Sequence, residues 1–190
     1  MGRQFIAVVP EGPQENHELK QLMGKLRRTM SDREQEVRWI APDLWHVTLQ
    51  FLGDVGPHSV KLREVFETMK LSAVGDLELR LQSFGAFPDS AAARVLWIGV
   101  QENQAFLTLQ AELAGVLSAA GFLLGDKEFK PHLTIARFRN PLNASQLLQL
   151  GGRKHFGDYR VRELILFESV LQGNIIKYMP IARRPVDSLG

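Results

Sequence analysis

Two short stretches of the 190-residue chain carry residue types from which acid–base chemistry can be built. They are His46-Val47-Thr48-Leu49 and, far downstream, His132-Leu133-Thr134-Ile135. Imidazole has an ordinary pKa near neutrality, so two of them can coexist at physiological pH as one proton donor and one acceptor. An in-line displacement at phosphorus asks for that pair: one imidazole takes the proton of the attacking oxygen, the other gives one to the leaving oxygen. Thr48 and Thr134 would donate hydrogen bonds to nonbridging oxygens as charge builds there. Arg137 would add a planar cation matched to phosphate geometry.

A lone histidine in a strand is more often structural than chemical, so the weight rests on the repetition. With five histidines and five threonines in the chain, two histidines each followed two residues on by threonine would arise in about one shuffled sequence in a hundred. Both stretches are short, rich in β-branched and aromatic residues, and closed by turn formers, Gly53 with Gly56-Pro57 and Asn140-Pro141, so both read as strands. Side chains alternate along a strand. His46 and Thr48 therefore share one face, with Val47, Leu49 and Phe51 on the other. His132 and Thr134 share a face opposite Leu133 and Ile135. By the same parity Arg137 falls on the wrong face; a bulge, a twist at the strand end, or simple surface exposure would each resolve the difficulty.

The elements that must position these residues repeat in order. Phe5 to Val9 predict a strand. A helix from about Glu15 to Met30 carries Leu19, Leu22, Met23, Leu26 and Met30 on one face. A charged loop, a short strand over Val37 to Ile40 and a turn at Pro42-Asp43 lead into the His46 strand. A second helix presents Leu62, Val65, Phe66, Met69 and Ala73 and ends near Gly75. Leu77, Leu79 and Leu81 then alternate in a strand, Gly85 to Ala93 form a loop, and Arg94 to Val100 return as a strand. Strand, helix, loop, histidine strand, helix and strand then follow again, with a helix from about Asn103 to Ala120. A shorter helix has Pro141 in its first turn and closes at Gly151-Gly152, and Tyr159 to Phe167 form a strand. A strand and turn around Gly173-Asn174 complete a sheet, and the tail from Arg183-Arg184-Pro185 is expected to be poorly ordered. The expected architecture is α+β: a single domain of two lobes, about 1–92 and 93–190, related by a pseudo-twofold. Two antiparallel sheets face a central cleft, helices lie outside, and His46 and His132 meet across the cleft.

Composition narrows the alternatives. Hydrophobic content of 45% and charged content of 23% are globular values. A net charge of +2 does not announce nucleic-acid binding, although a pI near 9.0 permits a local basic surface. The chain has no cysteine, which excludes disulfides, thiolate nucleophiles and cysteine-ligated zinc. No apolar run spans a bilayer and no signal-peptide pattern opens the chain, so the cytosol is the expected location. His17, His58 and His155 lack a companion threonine and read as surface residues, and no histidine pair has metal-ligand spacing. Gly151-Gly152-Arg153-Lys154 is basic and glycine-rich but does not satisfy a P-loop.

The paired histidine-x-threonine-hydrophobic stretches resemble the two signatures of the 2H phosphoesterase superfamily. Within it, HVTLQFLG, the Arg94-Val95-Leu96-Trp97 strand and PHLTIARF resemble the bacterial RNA 2′,3′-cyclic phosphodiesterases, also called 2′-5′ RNA ligase-like proteins, from Phe5 to about Pro180. The resemblance implies a bilobal fold and a metal-independent, cofactor-free hydrolase that opens a ribose 2′,3′-cyclic phosphate to a 2′-phosphomonoester. It implies His46 as proton donor to the departing 3′ oxygen and His132 as the acceptor that activates water. Thr48, Thr134 and Arg137 would contact phosphate. The pseudo-symmetry allows donor and acceptor to exchange. Trp45, on the face opposite His46, is expected in the core rather than against a base. The implied partner is an RNA or nucleotide with a 2′,3′-cyclic phosphate end. No membrane partner is expected, and a monomer is the default. Two rival readings stand beside this one: a non-catalytic module that binds nucleotides or RNA ends in the cleft, and the reverse joining of RNA ends through 2′-5′ bonds.

Overall fold

The computed structural model of the chain describes residues 2–72, 77–126, 128–152, 154–173 and 175–189. Nine strands and four α-helices occur among them. The strands are β1 (Arg3–Val8), β2 (Val37–Trp39), β3 (Val47–Gly53), β4 (Leu77–Phe87), β5 (Ala93–Val100), β6 (His132–Leu142), β7 (His155–Val161), β8 (Glu163–Gln172) and β9 (Ile175–Pro185). The helices are α1 (His17–Thr29), α2 (Ser59–Thr68), α3 (Gln104–Ala119) and α4 (Ser145–Gly151).

All the strand pairings are antiparallel, in the order β7-β4-β5-β6-β3-β1-β8-β9, with β2 attached to β6. The α+β class is as expected, but the two sheets are hydrogen-bonded into one. The junction is narrow: β3 meets β6 through the single pair Val47↔Leu133. Counted outward from it, the order is symmetric, with each histidine strand flanked by the strand that opens its own half of the chain. The next strand out is exchanged, since β4 from the first half lies against β5 and β8 from the second lies against β1.

The helices cover the outer face. Leu19, Leu22 and Leu26 of α1, Leu62 and Phe66 of α2, Phe106, Leu109 and Leu113 of α3, and Leu147 of α4 share one core with Ile6, Val47, Leu49, Leu133 and Ile135 from the sheet. Burying such side chains is the main driving force, each contributing about 1.5–3 kcal/mol. The inner face has its own smaller apolar group: Phe5, Ala7, Ile165 and Phe167, flanked by Val9 and Tyr178. Asn16 and Asn103 cap α1 and α3 through their side-chain oxygens, accepting from Leu19 and Phe106.

Several boundaries differ from expectation. The segment read as a loop from Gly85 continues β4 to Phe87. Gly85 leaves room for the indole of Trp97, which would lie 2.1 Å from a Cβ at that position. Pro141 lies inside β6 rather than opening a helix, and α4 starts at Ser145, whose N–H donates to the Asn143 side chain. The single strand expected over Tyr159 to Phe167 is the two strands β7 and β8, broken at Arg162. Helix α2 stops at Thr68, where Arg184 of β9 donates to the Phe66 and Met69 carbonyls that would otherwise be left open. The tail is docked rather than loose: Arg183 to Pro185 belong to β9, Leu189 is buried, and Leu71 N–H donates to its carbonyl. Ala73, Gly75, Arg153 and Asn174, named in the sequence reading, lie outside the described residues.

Candidate active site

His46 precedes Val47 and His132 precedes Leu133, the two residues that bridge β3 to β6. Val47 and Leu133 point into the outer core, so alternation sends both histidines to the inner face on either side of the bridge. The two imidazoles are held alike. Nδ1 of His46 donates to the Leu44 carbonyl at 2.8 Å, and Nδ1 of His132 donates to the Lys130 carbonyl at 2.6 Å. A carbonyl only accepts, so each Nδ1 carries the hydrogen and the Nε2 of each neutral ring keeps its lone pair.

Aromatic rings pack against both imidazoles. Tyr178 stands edge-on to His46 at 4.9 Å between centroids, with Phe5 at 5.1 Å. Phe87 stands edge-on to His132, also at 4.9 Å, with Trp97 at 5.9 Å. Burial among these rings lowers the His46 pKa to about 4; the Leu44 carbonyl opposes the shift, while the charges of Arg137 and His132 add to it. Burial likewise lowers His132, with the Lys130 carbonyl opposing and the charges of Arg137 and Lys130 adding. The two imidazoles are therefore within electrostatic reach of each other and of Arg137.

Strand irregularities place the remaining groups. In β6 the pairing steps from Leu96↔Ala136 to Trp97↔Thr134, leaving Ile135 as an extra residue. In β3 it steps from Ile6↔Gln50 to Ala7↔Thr48, leaving Leu49 extra at the matching position. Each bulge inverts the alternation beyond it. Arg137 thus returns to the face of His132 and Thr134. Phe51, expected in the core, is turned to the same face and is 53% exposed. Thr48 pairs with Ala7 and Thr134 with Trp97, both on the inner face. Neither threonine hydroxyl has a partner among the described residues. All five anticipated residues are brought to one surface.

The structure adds residues that sequence reasoning missed: the ring clamps Phe5, Tyr178, Phe87 and Trp97, and the exposed Phe51. Their only signal was that Phe5 alternates with the outer-face residues of β1. Trp45 is in the core, its Nε1 donating to the Ile40 carbonyl at 3.2 Å. His17, His58 and His155 are exposed. Beside His46 opens a groove of about 1180 Å³, lined by Val9, Ile165, Phe167, Tyr178 and Pro180. Among the described residues no three His, Asp or Glu side chains converge as metal ligands, and no helix is long and apolar enough to cross a membrane.

Comparison with known proteins places this arrangement in context. The family described as the 2′-5′ RNA ligase superfamily matches residues 13–170. An RNA 2′,3′-cyclic phosphodiesterase of Methanothermobacter thermautotrophicus is 30% identical over 173 residues, covering 89% of this chain and 90% of that protein. One from Archaeoglobus fulgidus is 33% identical over 137 residues, covering 71% and 76%. Among solved structures, TT0787 of Thermus thermophilus superposes with a TM-score of 0.69 at 24% identity, covering 97% of this chain and 98% of that one. E. coli LigT complexed with 3′-AMP superposes with a TM-score of 0.67 at 21% identity, covering 97% of each. At these identities the structural likeness establishes the fold.

Proposed function

The chain belongs to the 2′-5′ RNA ligase superfamily, and on that footing we propose that it hydrolyses RNA 2′,3′-cyclic phosphate ends to 2′-phosphomonoesters without a metal, using His46 and His132 as an acid–base pair. The oxygen of water attacks phosphorus while its proton passes to Nε2 of His132. The bond from phosphorus to the ribose 3′ oxygen breaks as that oxygen takes the proton from Nε2 of His46, and the phosphate stays on the 2′ oxygen. Thr48, Thr134 and Arg137 hold the nonbridging oxygens through this change. The 92/93 division and its pseudo-twofold belong to the same proposal: each half supplies one histidine and one threonine to a shared phosphate.

The observation that carries this reading is the matched pair of imidazoles, each with Nδ1 tied to the carbonyl two residues upstream and the two near enough for the charge of one to act on the other. Phosphate binding alone would be served by Arg or Lys, with no need for two groups able to move protons. The names of the relatives support RNA as the substrate class.

The test is turnover of a nucleoside 2′,3′-cyclic phosphate in EDTA, with the product resolved as the 2′ or 3′ monophosphate. The 2′ product is expected, and His46→Ala and His132→Ala should each lower kcat by about two orders of magnitude or more. Saturable binding without product would favour a binding module. Near-normal rates in either folded variant would defeat the acid–base assignment. Because the same imidazoles serve both directions, adding an RNA with a 5′-hydroxyl end and assaying for a 2′-5′ bond measures the reverse reaction.

A further inference from the structure

Arg38 and Arg137 are direct partners across β2 and β6. Residues opposite each other in an antiparallel pair project to the same face with Cα atoms about 5 Å apart, and like charges placed so are destabilising. Among the described residues no carboxylate pairs with either guanidinium to offset the repulsion. Tyr178 favours protonation of Arg137 while Arg38 and Arg3 oppose it, and the charge of Arg137 also acts on His46 and His132; no carboxylate is among these groups. No ion pair forms at Arg3, Arg38 or Arg137 among the described residues. All three are exposed. Arg3 alternates with the buried Gln4 and so shares the inner face with Phe5.

The groove beside His46 is different. Its rim carries four carboxylates and three guanidiniums, with Arg162 joined to Glu11 and Arg183 to Glu163. Such a balanced rim does not attract a polyanion, whereas the arginine group does. One phosphate on Arg137 leaves Arg38 and Arg3 without a counter-charge.

We propose that Arg38, assisted by Arg3, forms a second phosphate subsite beside Arg137 that takes the phosphodiester on the 5′ side of the terminal nucleotide, so that the site is built for the 3′ end of an RNA chain rather than for a mononucleotide. This rests on the reading of the His46–His132 cleft as the place where the cyclic phosphate binds. The like-charge pair is tolerated because the substrate's second phosphate neutralises it.

Arg38→Gln is compared with the wild type on two substrates, an oligoribonucleotide ending in a 2′,3′-cyclic phosphate and the matching 2′,3′-cyclic mononucleotide. KM for the oligonucleotide should rise about tenfold, and the slope of its log affinity against log salt should fall by about one. Constants for the mononucleotide should stay within about twofold. In the absence of RNA the variant should melt no lower than the wild type, because a repulsion is removed. Equal losses on both substrates would place Arg38 on the reacting phosphate and overturn the subsite, as would an unchanged KM for the oligonucleotide. Fluorescence anisotropy with a 3′-phosphorylated oligoribonucleotide separates the two readings. If neither substrate turns over in the wild type, the cleft assignment fails, while a tenfold weaker binding by Arg38→Gln in this assay would still uphold the RNA contact.

Discussion

His46 and His132 both hold a proton less readily in the folded chain than in water, because each ring is enclosed by aromatic side chains and faces Arg137. On the proposed mechanism the catalytic proton is therefore recruited with the substrate, whose phosphate charge raises the imidazole that faces it. Two consequences can be measured. The alkaline limb of kcat/KM, which reports the free enzyme, should lie below 6.5, and the limb of kcat should lie above it by the amount the bound phosphate contributes. Coincident limbs at or above 6.5 would contradict this. Stability carries the same sign. The unfolded chain binds more protons than the folded one between about 6.5 and about 4, so the melting temperature should fall as pH falls through that window. His46→Leu should remove most of the fall.

At the scale of single elements, the bulges decide which side chains reach the cleft. Alternation alone located His46, Thr48, His132 and Thr134, because they precede the irregularity. It misplaced Phe51 and left Arg137 on the wrong face, because an extra residue in a ladder depends on the partner strand and leaves no local signature in Leu49 or Ile135. The loop expected from Gly85 failed for a related reason. Glycine ordinarily weakens a strand, but here it is the position where the Trp97 ring packs against β4. Gly85→Ala should therefore cost about 1–3 kcal/mol by overpacking and should also slow turnover, since Trp97 packs on His132. Gly115→Ala, in an exposed stretch of α3 with open space around it, should instead stabilise by about 0.5–1 kcal/mol. Denaturant midpoints and initial rates of both variants test the contrast.

For the molecule as a whole, the repeat of strand, helix and histidine strand was legible because hydrophobic period and turn formers are local. The reciprocal exchange of β4 and β8 and the fusion of both halves into one sheet were not, since strand order is settled by long-range pairing that no stretch of sequence encodes alone. That fusion gives the site its geometry. A single bridge, Val47↔Leu133, holds the two histidine strands and sets one imidazole on either side of it. The most direct test of the account is a crystal structure with inorganic phosphate or vanadate bound. Nε2 of His46 and Nε2 of His132 should both lie within hydrogen-bond distance of the same anion, with Thr48, Thr134 and Arg137 on its other oxygens. An anion touched by only one imidazole, or seated away from both, would contradict it.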